Sequence, residues 1–271
     1  MGELLGLSLP LLSGAIGLAM GSFLNVVAIR GMQGESIGGR SRCVFCHKRL
    51  EARELIPLVS FLFQKGRCRS CGIALSWQYP IGELGTALIY GIGAWYIVNF
   101  LALTPLHTLL WMGWFFVVAA AAIVIILADI RFQIIPLGAT LVLLVSGLFS
   151  VAARCYLCAS LFSLLTDFAA AAAAATFFFG LWFFSRGRWM GFGDVTLIGA
   201  TSLLVGWPAA LSAILFAIWA GGVMATMLLA AQLVTLKARI PFGPFIIVGA
   251  LLAYFFSDAF LSYTGISYLL L

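Results

Sequence analysis

Charged residues are scarce in this chain: Asp, Glu, Lys and Arg make up 9% of its 271 residues, whereas 63% are hydrophobic. The mean hydropathy is +1.14. A soluble domain of this size has too little interior for so much apolar side chain, so the composition excludes one and predicts a polytopic membrane protein. The net charge of +6 does not predict nucleic-acid binding, because the basic residues lie between apolar runs and do not gather on one face.

No basic residue precedes the first apolar stretch, which follows only Glu3 and is itself followed by Arg30. This order is the reverse of a cleavable signal peptide, so we expect a retained first helix with its N-terminus outside the cytoplasm. Hydropathy predicts an all-α fold with eight spans. These spans cover residues 7–29, 80–101, 108–128, 136–153, 159–184, 195–206, 209–235 and 245–265. The span 195–206 is short for a bilayer, and Gly206-Trp207-Pro208 ends it.

The distribution of basic residues supports this topology and places both termini outside the cytoplasm. Its cytoplasmic segments are 30–79, 129–135, 185–194 and 236–244, and they contain fourteen of the fifteen Lys and Arg residues. The fourteen are Arg30, Arg40, Arg42, Lys48, Arg49, Arg53, Lys65, Arg67, Arg69, Arg131, Arg186, Arg188, Lys237 and Arg239. Only Arg154 falls outside.

The one sizeable polar region, 31–79, contains two C-x2-C pairs, Cys43/Cys46 and Cys68/Cys71. Four thiolates suit a tetrahedral Zn²⁺ and leave no position for water, so we expect a structural zinc. An unmetallated loop with incidental cysteines is the alternative. A third pair, Cys155/Cys158, lies on the predicted outer side, where a disulfide and two small buried hydrophobes both remain open.

Two acids are predicted at the cytoplasmic ends of spans: Asp129 ends the third span, and Asp194 begins the sixth within Gly191-Phe-Gly-Asp194. Two close carboxyls share one proton, which lets one activate water and the other protonate a peptide carbonyl, as in an aspartic protease. Gly191 and Gly193 leave the backbone beside Asp194 uncovered for an extended substrate. The predicted topology keeps Asp167 on the opposite face. An interfacial Asp that caps a helix is the alternative for either acid alone.

Taken together, these motifs resemble the bacterial type IV prepilin peptidases (prepilin leader peptidase/N-methyltransferases), which are membrane aspartic proteases of the G-x-G-D class. The resemblance covers nearly the whole chain. Besides the four cysteines and the two aspartates, the matching segments are Gly21-Ser-Phe-Leu-Asn-Val-Val27, Glu54-Leu-Ile-Pro-Leu-Val-Ser60, Gly66-Arg-Cys-Arg-Ser-Cys71, Tyr79-Pro-Ile-Gly-Glu83 and Pro241-Phe-Gly-Pro244.

The resemblance implies an enzyme of the bacterial inner membrane that cuts the short basic leader of type IV prepilins or pseudopilins on the cytoplasmic side. It further implies that S-adenosylmethionine methylates the new N-terminus. The implied catalytic residues are Asp129 and Asp194, with Gly191, Gly193 and Glu83 at the substrate and Cys43, Cys46, Cys68 and Cys71 on zinc. The implied domains are a first membrane helix (1–29), a tetracysteine zinc module (30–79) and a membrane peptidase domain (80–271).

The chain departs from the family pattern at two positions. Thr196 stands where the family usually has Lys, which removes a charge near the aspartates, and Leu137 stands where Asp or Asn is common. Two other function classes stay open on the residues alone. One is a transporter or channel whose proton or cation path uses Asp129, Asp194 and Asp167. The other is an assembly factor without enzymatic activity that docks through the zinc loop. The sequence leaves the oligomeric state open.

Overall fold

The computed structural model describes residues 2–101, 104–158, 161–235 and 238–264, without the side chains of 2–5, 157, 158, 258, 263 and 264. The described residues form nine α-helices, a short 3₁₀ turn at Ala52–Glu54 and no strand beyond two isolated β-bridges. The helices are α1 (Gly2–Gln33), α2 (Val59–Phe63), α3 (Gln78–Phe100), α4 (Pro105–Phe132), α5 (Leu137–Cys158), α6 (Leu161–Ser185), α7 (Phe192–Val205), α8 (Ala209–Ala230) and α9 (Gly243–Thr264). The predicted all-α fold is confirmed.

Six of these helices are long and apolar enough to cross a membrane, namely α1, α3, α4, α5, α6 and α8. Two further apolar helices, α7 and the part of α9 up to Ser257, are shorter than the usual span. The eight predicted spans correspond to α1 and α3–α9 in order, with ends that differ by a few residues. The chain is therefore a multi-pass membrane protein.

The chain forms two compact units, Met1–Leu127 (unit 1) and Ala128–Leu271 (unit 2). In unit 1, α1 packs along α3 through glycines that allow a close backbone approach. A Cβ at Gly17 would lie 2.7 Å from Ala87 Cα, and one at Gly21 would lie 2.6 Å from Glu83 Cα. A Cβ at Gly82 would lie 2.6 Å from Asn25 Nδ2. The segments 21–27 and 79–83, which are far apart in sequence, therefore pack directly on each other.

Unit 2 is built around α7, which packs against α5, α6, α8 and α9. Eight of its fourteen residues are buried, although it is the shortest of the eight described helices that correspond to predicted spans. Asp194 lies in its first turn, and Gly206 ends it with a positive φ of +76° and ψ 176°, a conformation open to glycine. A short central helix thus positions one of the two acids singled out by the sequence.

Candidate active site and metal centre

Asp129 lies in the last turn of α4, and its side chain is buried. Its Oδ2 accepts a hydrogen bond of 2.9 Å from the backbone N–H of Gly243, the first residue of α9. A Cβ at Gly243 would lie 2.7 Å from the same oxygen, so only glycine fits there without displacing the carboxylate. The turn Pro241-Phe-Gly-Pro244 therefore contacts Asp129 and is more than a connector between helices.

Asp194 is the third residue of α7, and Gly191 is its N-cap residue. The Asp194 side chain makes one of the two bonds of a capping box, the one that accepts from the N-cap backbone N–H. The Gly191 N–H donates to Asp194 Oδ2 at 3.1 Å, and the Asp194 N–H donates to the Gly191 carbonyl at 3.2 Å. These two bonds fix the carboxylate at the N-terminal end of the helix, where the helix dipole favours a negative charge.

Asp129 and Asp194 come together in unit 2, although sixty-four residues separate them along the chain. Both carboxyls are buried, and a charge on Asp129 disfavours a charge on Asp194. Within the described ranges of unit 2, neither acid has a Lys or Arg nitrogen within ion-pair distance. Each instead accepts one backbone N–H. Two buried acids that share a site without a counter-cation have the electrostatics of a pair that holds one proton.

The two glycines beside Asp194 have different surroundings. Gly191 is exposed in an extended conformation (φ −78°, ψ 153°), and its backbone is open toward solvent. Gly193 is partly covered, because a Cβ there would lie 3.0 Å from Ile135 Cβ. The Thr196 hydroxyl donates to the Gly193 carbonyl at 2.8 Å, so this side chain caps the local backbone. Leu137, the other departure, is exposed at the start of α5.

Asp167 lies at the other end of α7, away from the carboxylate pair Asp129/Asp194. Its Oδ2 accepts from Arg154 Nε at 2.9 Å, and its Oδ1 accepts from the Trp207 N–H at 2.7 Å. The Arg154 guanidinium also donates to the Leu203 and Leu204 carbonyls at 2.8 and 3.1 Å. This ion pair satisfies the carbonyls that end α7. The observation favours a structural role for Asp167, and nothing favours the transporter path that would have used it.

In unit 1, the two C-x2-C pairs fold into knuckles with the same hydrogen bonds. The Cys43 N–H donates to the Lys48 carbonyl and the His47 N–H to the Cys43 carbonyl, both at 3.0 Å. The Cys68 N–H donates to the Ile73 carbonyl and the Gly72 N–H to the Cys68 carbonyl, both at 2.8 Å. His47 and Gly72 occupy equivalent left-handed positions with φ +54° and +70°.

The four thiol sulfurs of Cys43, Cys46, Cys68 and Cys71 lie within 4.8 Å of one another. Tetrahedral Zn²⁺ with sulfur ligands at about 2.3 Å requires sulfurs at about 4 Å, so the cluster fits one such ion. All four are free thiols. The N–H groups of Cys71 and Ser70, which donate to Cys68, lower the pKa of its thiol to about 6, and a thiolate is the form that binds metal. Cys155 also carries a free thiol, but the side chain of Cys158 lies outside the described residues, so that pair remains a prediction.

A cavity of about 190 Å³ lies in unit 1 between the end of α1, the knuckles and the start of α3. Its lining includes two acidic residues, two basic residues and one aromatic residue: Glu54, Glu83, Arg30, Arg42 and Phe61. Glu83 is buried, and its Oε2 accepts from the Leu58 N–H at 2.8 Å. Glu83, which the family resemblance assigns to substrate binding, therefore lines a cavity and also accepts a hydrogen bond from the loop between α1 and α3.

Sequence reasoning did not include two of these contacts. The rigid turn Pro241-Phe-Gly-Pro244 is a candidate border of the site from the sequence, with a plain helix connector as the alternative, but nothing in the sequence identifies the Gly243 N–H as the donor to Asp129. The bond from Leu58 to Glu83 has no sequence signal, because it depends on the loop folding back onto α3.

These features define a class: a helical, multi-pass membrane protein with a buried carboxylate pair and a four-cysteine metal site. Residues 15–97 match the model of the bacterial peptidase A24 N-terminal domain, and residues 115–226 match that of the type IV leader peptidase family. No solved structure shows a significant match.

Several curated proteins named prepilin leader peptidase/N-methyltransferase are similar over most of their length. The protein from Bacillus subtilis (strain 168) is 31% identical over 248 residues, which cover 91% of this chain and 94% of that protein. Those from Stutzerimonas stutzeri and Pseudomonas aeruginosa are 27% and 28% identical, and each alignment covers 90% of this chain and 89% of the relative. The chain belongs to the type IV leader peptidase family, as the motifs predicted.

Proposed function

We propose that this protein is a membrane aspartic endopeptidase that cleaves the short basic leader of type IV prepilins or pseudopilins. The observation that carries the proposal is the buried pair Asp129/Asp194, which has backbone N–H donors but no counter-cation among the described residues. Membership of the leader peptidase family supports this reading. The names of the relatives supply the substrate class and the second activity, N-methylation.

The chemistry follows from one proton shared between two carboxyls. Asp194, at a helix N-terminus, carries the negative charge and takes a proton from water, while Asp129, at a helix C-terminus, gives its proton to the peptide carbonyl oxygen. The resulting gem-diol intermediate collapses when Asp194 gives the proton it took from water to the leaving amine, while a gem-diol hydroxyl returns a proton to Asp129; the C–N bond then breaks and the carboxyl pair holds one proton again. The N–H bonds from Gly243 and Gly191 hold both carboxyls in place, so that little reorganisation accompanies the step.

The backbone around Gly191 and Gly193 is the proposed site for the substrate. An extended peptide needs close approach to backbone groups, and Gly191 is exposed with no side chain to block it. A substrate helix has to unwind near the membrane surface before its bond reaches the acids.

Unit 1 is the proposed site of methyl transfer, with S-adenosylmethionine as the donor when bound. The cavity lining offers Glu54 and Glu83 to a sulfonium cation and Arg30 to a carboxylate, while Arg42 is already paired with Glu35 at 2.9 Å. Zn²⁺ on the four cysteines would hold the two knuckles together and line one side of that cavity. Binding of labelled S-adenosylmethionine by the wild-type protein, and its loss in Glu54→Gln, would test this site separately from turnover.

We further propose that both termini lie outside the cytoplasm and that the carboxylate pair and the metal module face it. The enrichment of basic residues in the segments 30–79, 129–135, 185–194 and 236–244 supports this orientation. The same reasoning supports division into a first membrane helix (1–29), a zinc module (30–79) and a peptidase domain (80–271).

The test is incubation of the purified protein, in lipid, with a prepilin that retains its leader. Mass spectrometry is expected to show loss of the leader and, with S-adenosylmethionine present, the added mass of one methyl group on the product. A substrate that stays intact at high enzyme concentration would contradict the proteolytic function. A product that is cut but never methylated would contradict only the second activity.

A further inference from the structure

The segment of residues 55–63, in the loop between α1 and α3, exposes an unusual amount of apolar surface. Leu62 and Phe63 at the end of α2 are 70% and 85% exposed. Leu55, Ile56 and Val59 are also exposed. So many large apolar side chains within nine residues are typical of a contact surface and not of a loop that faces water on all sides.

The inner side of this segment fixes it to the start of α3. Phe61 is buried, and its ring lies 5.1 Å from the Trp77 ring, centroid to centroid. Trp77 directly precedes α3, one of the helices long enough to cross a membrane. Because the buried Phe61 ring packs toward Trp77, the exposed side chains of Leu62 and Phe63 point away from that contact.

A second contact fixes where the segment lies along the axis of α3. The Leu58 N–H donates to Glu83 Oε2 at 2.8 Å, and Glu83 lies five residues into α3. Five residues of helix correspond to about 7.5 Å along the axis of the span. Leu58 has φ +58°, a conformation uncommon for leucine, and the bond to a carboxylate favours it. The segment therefore begins beside the membrane-spanning helix and not at a distance from it.

The start of α3, next to the segment, also exposes large apolar side chains. Trp77, Ile81 and Leu84 are all exposed where α3 begins, and Trp is typical of the boundary between bilayer and water. Beyond Phe63 the chain exposes three basic residues, Lys65, Arg67 and Arg69. Basic residues next to an apolar surface favour acidic phospholipid headgroups.

We infer that residues 55–63 insert Leu62 and Phe63 into the adjoining leaflet of the bilayer, with Lys65, Arg67 and Arg69 on acidic headgroups. This contact holds the four-cysteine module and the cavity of unit 1 at the membrane surface. This membrane contact does not depend on the proposed proteolytic activity.

The test places a spin label at position 63 of the full-length, metal-loaded protein. Phe63→p-acetylphenylalanine accepts a hydroxylamine nitroxide, which leaves the cysteines untouched. The protein is placed in nanodiscs of phosphatidylcholine and phosphatidylglycerol, without substrate, and power saturation is measured with oxygen and with a water-soluble nickel complex. The matched control carries the same label at Phe45, an exposed aromatic residue of the first knuckle.

At position 63 the label is expected to collide more with oxygen than with nickel, and at position 45 more with nickel. A label at 63 that collides mainly with nickel lies in water and overturns the inference. A label at 63 that neither reagent reaches is covered by protein, which also overturns it. The ratio of oxygen to nickel collisions at 63 is expected to fall in pure phosphatidylcholine, and an unchanged ratio would overturn the part assigned to acidic headgroups.

Discussion

Asp194 lies in the first turn of α7, whereas Asp167, a residue of α6, lies beside the C-terminal end of α7. The surroundings of these two aspartates differ. Asp167 is 3% exposed and Asp194 is 9% exposed, so burial does not distinguish them. Asp167 has the Arg154 guanidinium and a backbone N–H. Among the residues that the structure describes, Asp194 has one backbone N–H donor and a second acid that acts on it, and no cation within ion-pair distance. The counter-cation, and not burial, separates an acid that stabilises the fold from one available for proton transfer.

This difference also explains how a helix of fourteen residues positions a reactive group. At its C-terminal end, the guanidinium of Arg154 satisfies two carbonyls and fixes the helix to α5 and α6. The N-terminal end is held by the capping bonds of Gly191 and leaves the Asp194 side chain with unused acceptors. We therefore expect substitutions at the two ends to have different consequences, in the following order of size.

The largest effect is expected from the pair itself. Asp129→Asn and Asp194→Asn are each expected to lower the rate of leader cleavage by about 10³-fold or more, because neither amide can exchange the shared proton. The double variant is expected to lose little more than either single variant, since the two acids act as one unit. Single-turnover cleavage in lipid measures all three, and losses that simply multiply would indicate two independent acids.

The opposite end of α7 is expected to govern stability. Asp167→Asn leaves the Arg154 guanidinium without its partner and is expected to lower the free energy of unfolding by about 3 kcal/mol. Arg154→Lys keeps a positive charge near Asp167 but removes the guanidinium N–H groups that donate to the Leu203 and Leu204 carbonyls. The free energy of unfolding is therefore expected to fall, but by less than in Asp167→Asn. Thermal unfolding in detergent is the measurement. An unchanged melting temperature in Asp167→Asn would contradict the structural role.

Gly243→Ala is expected to disturb Asp129 without removing it. Because the added Cβ would lie 2.7 Å from Asp129 Oδ2, the carboxylate has to move, and a displacement of this kind costs about 10²-fold in rate. Gly222→Ala is the matched control, since a Cβ there meets no heavy atom within 4 Å. Equal cleavage rates for the two variants would show that the Gly243 contact does not position the acid.

The smallest effect is expected at Thr196. Thr196→Val keeps the shape of the side chain but removes the 2.8 Å hydrogen bond to the Gly193 carbonyl, which is worth about 1 kcal/mol. Cleavage should slow by less than tenfold. A loss as large as that of Asp194→Asn would place the Thr196 hydroxyl in the chemistry itself.

The sequence predicted much of this arrangement because hydropathy and charge act over whole spans. The eight apolar runs correspond to α1 and α3–α9, and the tetracysteine loop brings its four sulfurs together as expected. The sixth run is short for a bilayer, which left open a short helix, a tilted helix or a bent path shared with the seventh run, and the structure shows a helix of fourteen residues. Patterns of this kind do not depend on where one helix lies relative to another.

Contacts between distant segments could not be predicted in the same way. The predicted topology places Arg154 and Asp167 on the same outer face, but their pairing depends on how α5 and α6 pack on α7. The bonds from Gly243 to Asp129 and from Leu58 to Glu83 join residues 114 and 25 positions apart. Backbone N–H groups are present at every non-proline residue, so no sequence pattern singles these two out.

The most direct measurement compares Asp194→Asn with Asp167→Asn in one assay, at a temperature where both proteins remain folded in lipid. Each substitution replaces one buried acid, Asp194 at the N-terminal end of α7 or Asp167 of α6 beside its C-terminal end. Mass spectrometry of a prepilin substrate is expected to show no cleavage by Asp194→Asn and nearly normal cleavage, per folded molecule, by Asp167→Asn. Cleavage that persists in Asp194→Asn, or that is lost equally in both, would contradict the assignment of the chemistry to the unpaired acids.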